Sequence, residues 1–167
     1  HLDLNTVNEE TILLVNIEPG HPREGEIAPL DLGQGYFPSH TEPHAYFGHD
    51  GYADWNDLLF PRTNQLDLDG DGELEDIRHY DIESKMLVIR TLMPLAQSAQ
   101  HAVIITRGVH GFRSDGERGS VRSPFPYKAH AAQTTHIERA LELLDMAPDQ
   151  LAFGWTYKTA EITGALT

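Results

Sequence analysis

Three short runs of apolar and mostly branched residues constrain the fold of this chain more than any other feature. They span residues 11–17, 102–106 and 151–155. Runs of this length and continuity are typical of strands that are covered on both faces, as the strands of a parallel sheet are. They are far shorter than the roughly 20 apolar residues of a membrane-spanning helix. The sequence therefore predicts three buried strands and no insertion into a membrane.

Two helical patterns lie between the predicted strands. Apolar residues recur at three-to-four spacing over residues 81–96, where Pro94 is expected to kink or end the helix, and again over residues 134–146. The order is then strand, helix, strand, helix, strand, with connections long enough for right-handed crossovers between parallel strands. We therefore expect an α/β fold, a three-layer Rossmann-like domain with a parallel sheet.

The length of 167 residues suits one domain with a core of its own. We expect residues 1–167 to form a single α/β domain, with a long loop insertion at residues 19–80 that is rich in Gly, Pro, His and aromatic residues. In open α/β sheets, ligands bind beyond the carboxyl ends of the strands. Asn16, His110 and Lys158 would lie at that edge of the predicted sheet.

The charge balance and the amino-acid content exclude several classes of function. Asp and Glu outnumber Lys and Arg by 26 to 12, which gives a formal net charge of −14. Nucleic acid is therefore not expected as a partner, because phosphate binding needs clustered basic residues, whereas an acidic surface favours cations. The sequence contains no cysteine, so disulfides, thiolate zinc sites and cysteine nucleophiles are excluded within these residues.

The segment Asp-Leu-Asp-Gly-Asp-Gly-Glu-Leu-Glu-Asp at residues 67–76 has the pattern of a calcium loop. Calcium takes six to eight oxygen ligands, and the alternate side chains of such a loop converge on one point. The expected ligands are the carboxylates of Asp67, Asp69, Asp71 and Glu75, together with the backbone carbonyl of Glu73.

This segment resembles EF-hand loops and the Asp-rich calcium loops of extracellular repeats. Gly72 stands where the loop turns sharply and Leu74 where an apolar anchor is usual, but Arg78 replaces the bidentate Glu of position 12. Either the affinity for calcium is lower, or Asp76 or another carboxylate supplies the missing oxygens. We expect the ion to have a structural rather than a signalling role, because the sequence has no second loop of this kind to pair with the first.

Three further histidines lie in one aromatic-rich stretch, at His40, His44 and His49. Imidazoles could bind zinc or copper there, but their spacing matches no tight motif. Polar loop residues are the simpler interpretation.

Four segments resemble the nicotinamidase and isochorismatase-like cysteine hydrolases. Residues 11–27 look like that family's opening strand and Gly-rich turn, and Ile-Ile-Thr-Arg-Gly-Val-His at 104–110 looks like the strand that ends in its metal motif. Phe-Pro-Tyr-Lys-Ala-His-Ala-Ala-Gln-Thr at 125–134 is similar to a later His-containing segment, and residues 151–161 fall where its Lys-Gly-Thr strand lies. The resemblance covers most of the chain in the right order.

The resemblance implies catalytic positions that this chain fills with other residues. The family's strand-end catalytic Asp falls on Asn16, and an amide cannot act as a base because it does not titrate. Its metal-ligand Asp falls on Gly108, and its Lys falls on Gly154, with Lys158 four residues further along. Asn16 and Lys158 are therefore the candidate catalytic residues. The family's nucleophilic Cys belongs to a later strand–helix unit that is not in this sequence, so the chain is either an inactive descendant or a fragment of a hydrolase.

His110 and His130 match metal-ligand histidines of the same family. In a parallel sheet, His110 and Asn16 would share an edge, and the loop that carries His130 could fold back over it. Two imidazoles beside an acid would suit Zn²⁺ or another divalent transition metal with open positions for water.

Two functions remain open from the sequence. One is an isochorismatase-like hydrolase of an amide or related small-molecule substrate, or an inactive descendant of one, stabilised by calcium. The alternative is a non-enzymatic module that binds calcium, has a binding or structural role, and contacts a protein partner through its long loops. In one version of this hypothesis the module is secreted. Convergence of Asn16, His110 and His130 at one sheet edge would favour the hydrolase.

Overall fold

A three-stranded antiparallel sheet with one helix packed on it forms the centre of the larger part of this protein. The computed structural model describes residues 2–32, 64–66, 71–73, 75–77, 80–81, 86–123 and 131–161. The chain divides into two units, of which the larger comprises Leu2–Leu30 and Thr91–Thr167 and the smaller comprises Asp31–Arg90 together with His1.

Twelve strands and one α-helix are present in the described residues. In chain order the strands are β1 Leu2–Asp3, β2 Ile12–Asn16, β3 Leu30–Asp31, β4 Asn64–Leu66, β5 Glu75–Ile77, β6 Tyr80–Asp81, β7 Met86–Leu87, β8 Arg90–Thr91, β9 Gln100–Thr106, β10 His110–Phe112, β11 Arg118–Ser120 and β12 Leu151–Lys158. The helix α1 spans Ala131–Leu143, and short 3₁₀ helices span Leu4–Thr6 and Pro148–Gln150. None of the helices in this part of the chain has the length and apolar character needed to cross a bilayer.

The central sheet has the strand order β12-β9-β2, and both pairings are antiparallel. Alternate apolar residues of the strands face α1, because successive side chains of a strand point to opposite faces. The core that they form with the helix is made of Leu13, Val15, Ile17, Ala102, Ile104, Ile137, Ala140, Leu141 and Leu151. The other face of β2 is also buried, since Ile12 and Leu14 are only 1% and 2% exposed.

The prediction of a three-layer, Rossmann-like parallel sheet is wrong. The three apolar runs do form neighbouring strands of one sheet, but every pairing in that sheet is antiparallel. A continuously apolar strand indicates that both of its faces are buried, and the antiparallel strands of this sheet are buried in that way too. The pattern does not indicate whether neighbouring strands run parallel or antiparallel. Long connections permit parallel crossovers without requiring them.

The predicted helix over residues 81–96 is also absent from the described residues. Tyr80–Asp81 instead pairs with Met86–Leu87 as an antiparallel ladder, and Arg90–Thr91 is a further strand. The second predicted helix, over residues 134–146, overlaps α1 with a shift of three residues toward the N-terminus. Between β2 and β9, the described residues contain no helix and so nothing with the form of a βαβ crossover.

Two smaller antiparallel sheets complete the elements that matter for function. In the larger unit, β1, β10 and β11 form a three-stranded sheet in the order β1-β10-β11. In the smaller unit, β4 pairs with β5, so that Leu66 lies opposite Glu75. The chain therefore reverses direction across the Asp-rich segment.

Candidate functional site

The two residues implied as catalytic, Asn16 and Lys158, lie at the same end of the central sheet. Asn16 ends β2 opposite His101, and Lys158 ends β12 opposite Gln100, the first residue of β9. The antiparallel pairing of both outer strands with β9 brings these positions together. The sequence predicts them at one edge as well, but of a parallel sheet.

Glu18 connects the three strands at this end. Its carboxylate accepts a hydrogen bond of 2.8 Å from the Gln100 backbone N–H, and the Lys158 Nζ lies 3.4 Å from the same oxygen. The Gln100 hydrogen bond is the main cause that lowers the pKa of Glu18 below its usual value, and Lys158 acts in the same direction against partial desolvation. Glu18 is therefore an ionised anchor rather than a proton donor near neutral pH.

Asn16 is buried, and its side chain takes part in local hydrogen bonds. Its Oδ1 accepts from the Glu18 backbone N–H at 3.0 Å, and its Nδ2 lies 3.2 Å from Nδ1 of His21. The same His21 nitrogen accepts a hydrogen bond from the Arg23 backbone N–H at 3.0 Å. Since Nδ1 receives both contacts, it acts as an acceptor and the Asn16 amide is the donor. These bonds hold the turn after β2 and leave Asn16 with a structural role.

His101 is the buried histidine of this end and was not singled out by the sequence analysis. It is 2% exposed, its Nδ1 donates to the Ala99 carbonyl at 3.0 Å, and its ring stacks on Tyr157 with centroids 5.8 Å apart. Burial lowers the pKa of His101, so the imidazole is neutral near pH 7. Its signal in the sequence is weak, because a histidine at the start of an apolar strand resembles any polar strand end.

The recess at this end is too small for a substrate. Asn16, Arg23, Glu26, Ala28, Leu95, Ala96 and His101 line it, and its volume is about 10 Å³. That is about enough for one water molecule. The polar end of the sheet is therefore a satisfied network that fixes the three strands, not a cavity in which an amide could be attacked.

The position where the resemblance places the family's lysine is closely packed. A Cβ atom on Gly154 would lie 3.1 Å from Ile137 Cδ1 and 3.1 Å from the Val103 carbonyl oxygen. Gly154 is thus a point of close approach between β12 and α1. Lys158 is more than half exposed and lies beside Glu18.

His110 lies near the opposite end of the central sheet from Asn16. Asn16 pairs with His101 of β9. Thr106, the last residue of β9, lies roughly 16 Å from His101 along the strand, at ~3.3 Å per residue, and His110 follows Thr106. His110 belongs to β10, where its backbone N–H donates to Thr6 Oγ1 at 2.8 Å. The structure therefore does not bring Asn16 and His110 together. His130 lies outside the described residues.

Part of the Asp-rich segment is described, and it has the local conformation of a tight turn. The Asp71 carboxylate accepts a hydrogen bond of 2.8 Å from the Glu73 backbone N–H, and Gly72 has a φ of +91°. Only Gly adopts that conformation without strain. Glu75 begins β5, while Asp67 and Asp69, like His40, His44 and His49, lie outside the described residues.

Within the described ranges, no group of three or more His, Asp or Glu side chains is arranged to hold a metal ion. The predicted calcium ligands are not all among these residues, so the calcium site stays a prediction.

Comparisons with protein-family models, with curated proteins and with solved structures find no match for this chain.

Proposed function

We propose that this chain is a calcium-binding module, in which the Asp-rich hairpin at residues 67–75 holds the ion and the ion stabilises the smaller unit. The observation that carries the proposal is the antiparallel pairing of Leu66 with Glu75. It places the residues at the two ends of the Asp-rich segment opposite each other.

The described middle of the hairpin supports the ligand assignment made from the sequence. In the loop pattern, position 5 supplies a carboxylate, position 6 is Gly, and position 7 supplies a backbone carbonyl. Asp71, Gly72 and Glu73 occupy those positions. The hydrogen bond from Glu73 N–H to Asp71 orients the carboxylate, and the positive φ of Gly72 makes the turn that position 6 requires.

Electrostatics also favour a cation at this hairpin. Asp67, Asp69, Asp71 and Glu75 would place four carboxylates in a short turn of a chain with a net charge of −14. Like charges this close repel one another and oppose the folded turn unless a cation offsets them. Asp71 and Glu73 are exposed, so water-borne calcium can reach the turn.

Calorimetry on the chelator-treated chain tests this proposal. Titration with CaCl₂ is expected to give saturable heat, and the Tm should rise with calcium concentration, because a ligand of the native state stabilises by about 2.7 kcal/mol at 100 times its Kd. Magnesium at the same concentration is the control, since it demands a smaller octahedral site. Absence of both heat and Tm shift at millimolar calcium would overturn the proposal.

A hydrolase with a transition metal at His110 and His130 is the second candidate, and one observation favours a metal there. Nδ1 of His110 is buried, and among the described residues it has no hydrogen-bond partner. A buried polar atom without a partner costs free energy, and Zn²⁺ or another divalent transition metal would satisfy it. Asn16 and Lys158 lie at the other end of the sheet, so they would not share a reaction centre with that metal.

The metal content of the parent chain and of the His110→Ala/His130→Ala variant, after loading with Zn²⁺ and dialysis, tests the second candidate. One retained equivalent in the parent and none in the variant is the expected result. Equal metal content in the two proteins would remove it, and would leave the calcium-binding proposal untouched.

A further inference from the structure

A cavity of about 230 Å³ lies at the end of the central sheet opposite Asn16. Its lining consists of Arg107, Arg122, Ser123, Pro148, Leu151, Ala152 and Phe153. All these residues belong to the larger unit. The volume is slightly below the ~300 Å³ at which pockets for drug-sized ligands begin. It therefore suits a small molecule.

A β-bulge builds this cavity. Leu151 pairs with Thr106 and Phe153 pairs with Ile105, which leaves Ala152 without a partner on β9. Its carbonyl accepts a hydrogen bond from the Ser123 backbone N–H at 3.3 Å instead. Bulges redirect side chains and are frequent next to functional sites.

The same stretch of backbone positions the two arginines. The Arg107 N–H donates to the Gln150 carbonyl at 2.8 Å, just before Leu151, and Ser123 pairs with Ala152 just after it. Arg107 and Arg122 thus stand on two segments that are fastened on either side of Leu151. Their place at the cavity is set by backbone hydrogen bonds rather than by their own side chains.

Both guanidinium groups are exposed, and within the described part of the chain neither forms an ion pair with a carboxylate. In a chain with 26 acidic and 12 basic residues, two cations at one cavity without such a pair stand out. Arginine side chains present planar forks of N–H donors that match carboxylate and phosphate oxygens. The net charge of the chain repels anions in general, so an anion needs a specific arrangement of this kind.

Phe153 gives the cavity an apolar wall. Its side chain is 40% exposed, and its ring packs against Trp155 with centroids 5.5 Å apart. An exposed aromatic ring held in place beside two cations offers contact for the apolar part of a ligand. Pro148 and Leu151 extend this apolar surface.

We propose that this cavity binds a small organic oxyanion, a phosphate or carboxylate group carried on an apolar or aromatic body. Arg107 and Arg122 hold the charged group, and Phe153 contacts the body. The site uses none of the residues of the calcium hairpin.

Phenyl phosphate is a suitable probe, and isothermal titration in calcium-free buffer measures its affinity. Saturable 1:1 binding is expected, with the ¹⁵N resonances of the Arg107 and Arg122 Nε atoms shifting in step with the heat. Arg107→Gln and Arg122→Gln should each weaken binding at least roughly tenfold, as loss of a charge-assisted hydrogen bond implies. Arg113→Gln removes the same charge from the β10–β11 hairpin and should change the affinity by less than about twofold.

Phe153→Ser separates the two parts of the proposal. The substitution should lower the affinity for phenyl phosphate and leave the affinity for inorganic phosphate, which is weaker, unchanged. No saturable binding of phenyl phosphate to the folded parent chain would overturn the proposal. The proposal would also be overturned if Arg113→Gln lowered the affinity as much as the two cavity variants do. The same holds if the Arg107→Gln/Arg122→Gln double variant bound phenyl phosphate as tightly as the parent.

Discussion

Glu18 and Gln100 are joined by a hydrogen bond of 2.8 Å, from the backbone N–H of Gln100 to the carboxylate of Glu18. The two residues are 82 positions apart, and the bond fastens the segment that follows β2 to the first residue of β9. Lys158, at the end of β12, lies beside the same carboxylate. One side chain therefore couples all three strands of the central sheet.

The first prediction concerns acid stability at Glu18. Because the pKa of Glu18 is lowered in the folded chain, its stabilisation is complete above the unfolded value of about 4.3 and is lost as the pH falls through the folded value. Glu18→Gln should lower the Tm at pH 7 and flatten the dependence of Tm on pH below about 4.3. Thermal unfolding of both proteins from pH 7 to pH 2.5 measures this.

Glu10→Gln is the control for this experiment, since Glu10 is an exposed carboxylate whose side chain makes no described contact. If Glu10→Gln and Glu18→Gln change the dependence of Tm on acidic pH equally, the prediction that Glu18 couples the three strands is wrong. Lys158→Ala should lower the Tm less than Glu18→Gln, because Lys158 is the more distant and more exposed of the two partners of Glu18.

The second prediction concerns His101 and a higher pH range. Burial lowers the pKa of His101 in the folded chain, so below about 6.5, the usual value for histidine, the unfolded chain takes up the proton first. Stability should therefore be constant above about pH 6.5 and fall as the pH drops from there toward the folded pKa. This decline begins about two pH units above that of Glu18.

Replacement of His101 by Phe keeps a ring against Tyr157 and removes the proton site. The Ala99 carbonyl keeps hydrogen bonds from the N–H and the Oγ1 of Thr159, so the change leaves it satisfied. His101→Phe should abolish the decline of Tm just below pH 6.5, whereas His136→Gln, at an exposed position of α1, should leave it in place. If the Tm of His101→Phe declines in the same way as that of the parent chain, another titratable group causes the decline.

The sequence locates the strands of the central sheet well but not their direction. Residues 11–17, 102–106 and 151–155 coincide with β2, β9 and β12 because few segments of the chain are as apolar and branched. The direction of a strand depends on the path of the chain between strands. In this protein that path includes short local ladders, such as Tyr80–Asp81 with Met86–Leu87. Apolar spacing over residues 81–96 fits both a helix and such ladders, and the local pairing prevails.

The third prediction tests the close contact at Gly154. A Cβ there would lie 3.1 Å from Ile137 Cδ1 and 3.3 Å from Ile104 Cδ1, both in the core. Gly154→Val should lower the free energy of unfolding by roughly 1–3 kcal/mol, as overpacking of a core does. Gly154→Ala should cost less, because it adds one carbon atom at the crowded position where Val adds three. Urea denaturation of the three proteins measures the series, and a Val variant as stable as the parent would contradict it.

The sites are less readable from the sequence than the strands. Asn16 and Lys158 lie at one edge because β2 and β12 run in the same direction, as the predicted parallel sheet also implies. The antiparallel direction of β9 places His110 at the other end, and a local pattern does not encode that direction. Arg107 and Arg122 carry no motif, and the bulge at Ala152 that positions them depends on a register shift between distant segments. The Asp-rich segment is different, because its predicted calcium ligands are neighbours in sequence. Its conformation around Gly72 follows from the residues themselves.

The last prediction uses a matched pair of turns. Asp71-Gly72-Glu73 and Asp115-Gly116-Glu117 have the same sequence and the same conformation: the Asp carboxylate accepts from the Glu N–H at 2.8 Å and 3.0 Å, and the Gly φ is +91° and +84°. Asn can accept the same bond, so Asp→Asn preserves each turn and removes one charge.

Only the first of these turns has further Asp residues at alternate positions before it, at Asp67 and Asp69. Asp71→Asn should therefore weaken calcium binding by roughly tenfold or more, the effect of losing one charged ligand, and Asp115→Asn should leave it within about twofold. Calcium titration calorimetry on the two variants measures the difference. Equal affinities would mean that the turn conformation alone, or a site elsewhere, accounts for any bound calcium. A loss confined to Asp71→Asn would place the ion at the hairpin whose ends are Leu66 and Glu75.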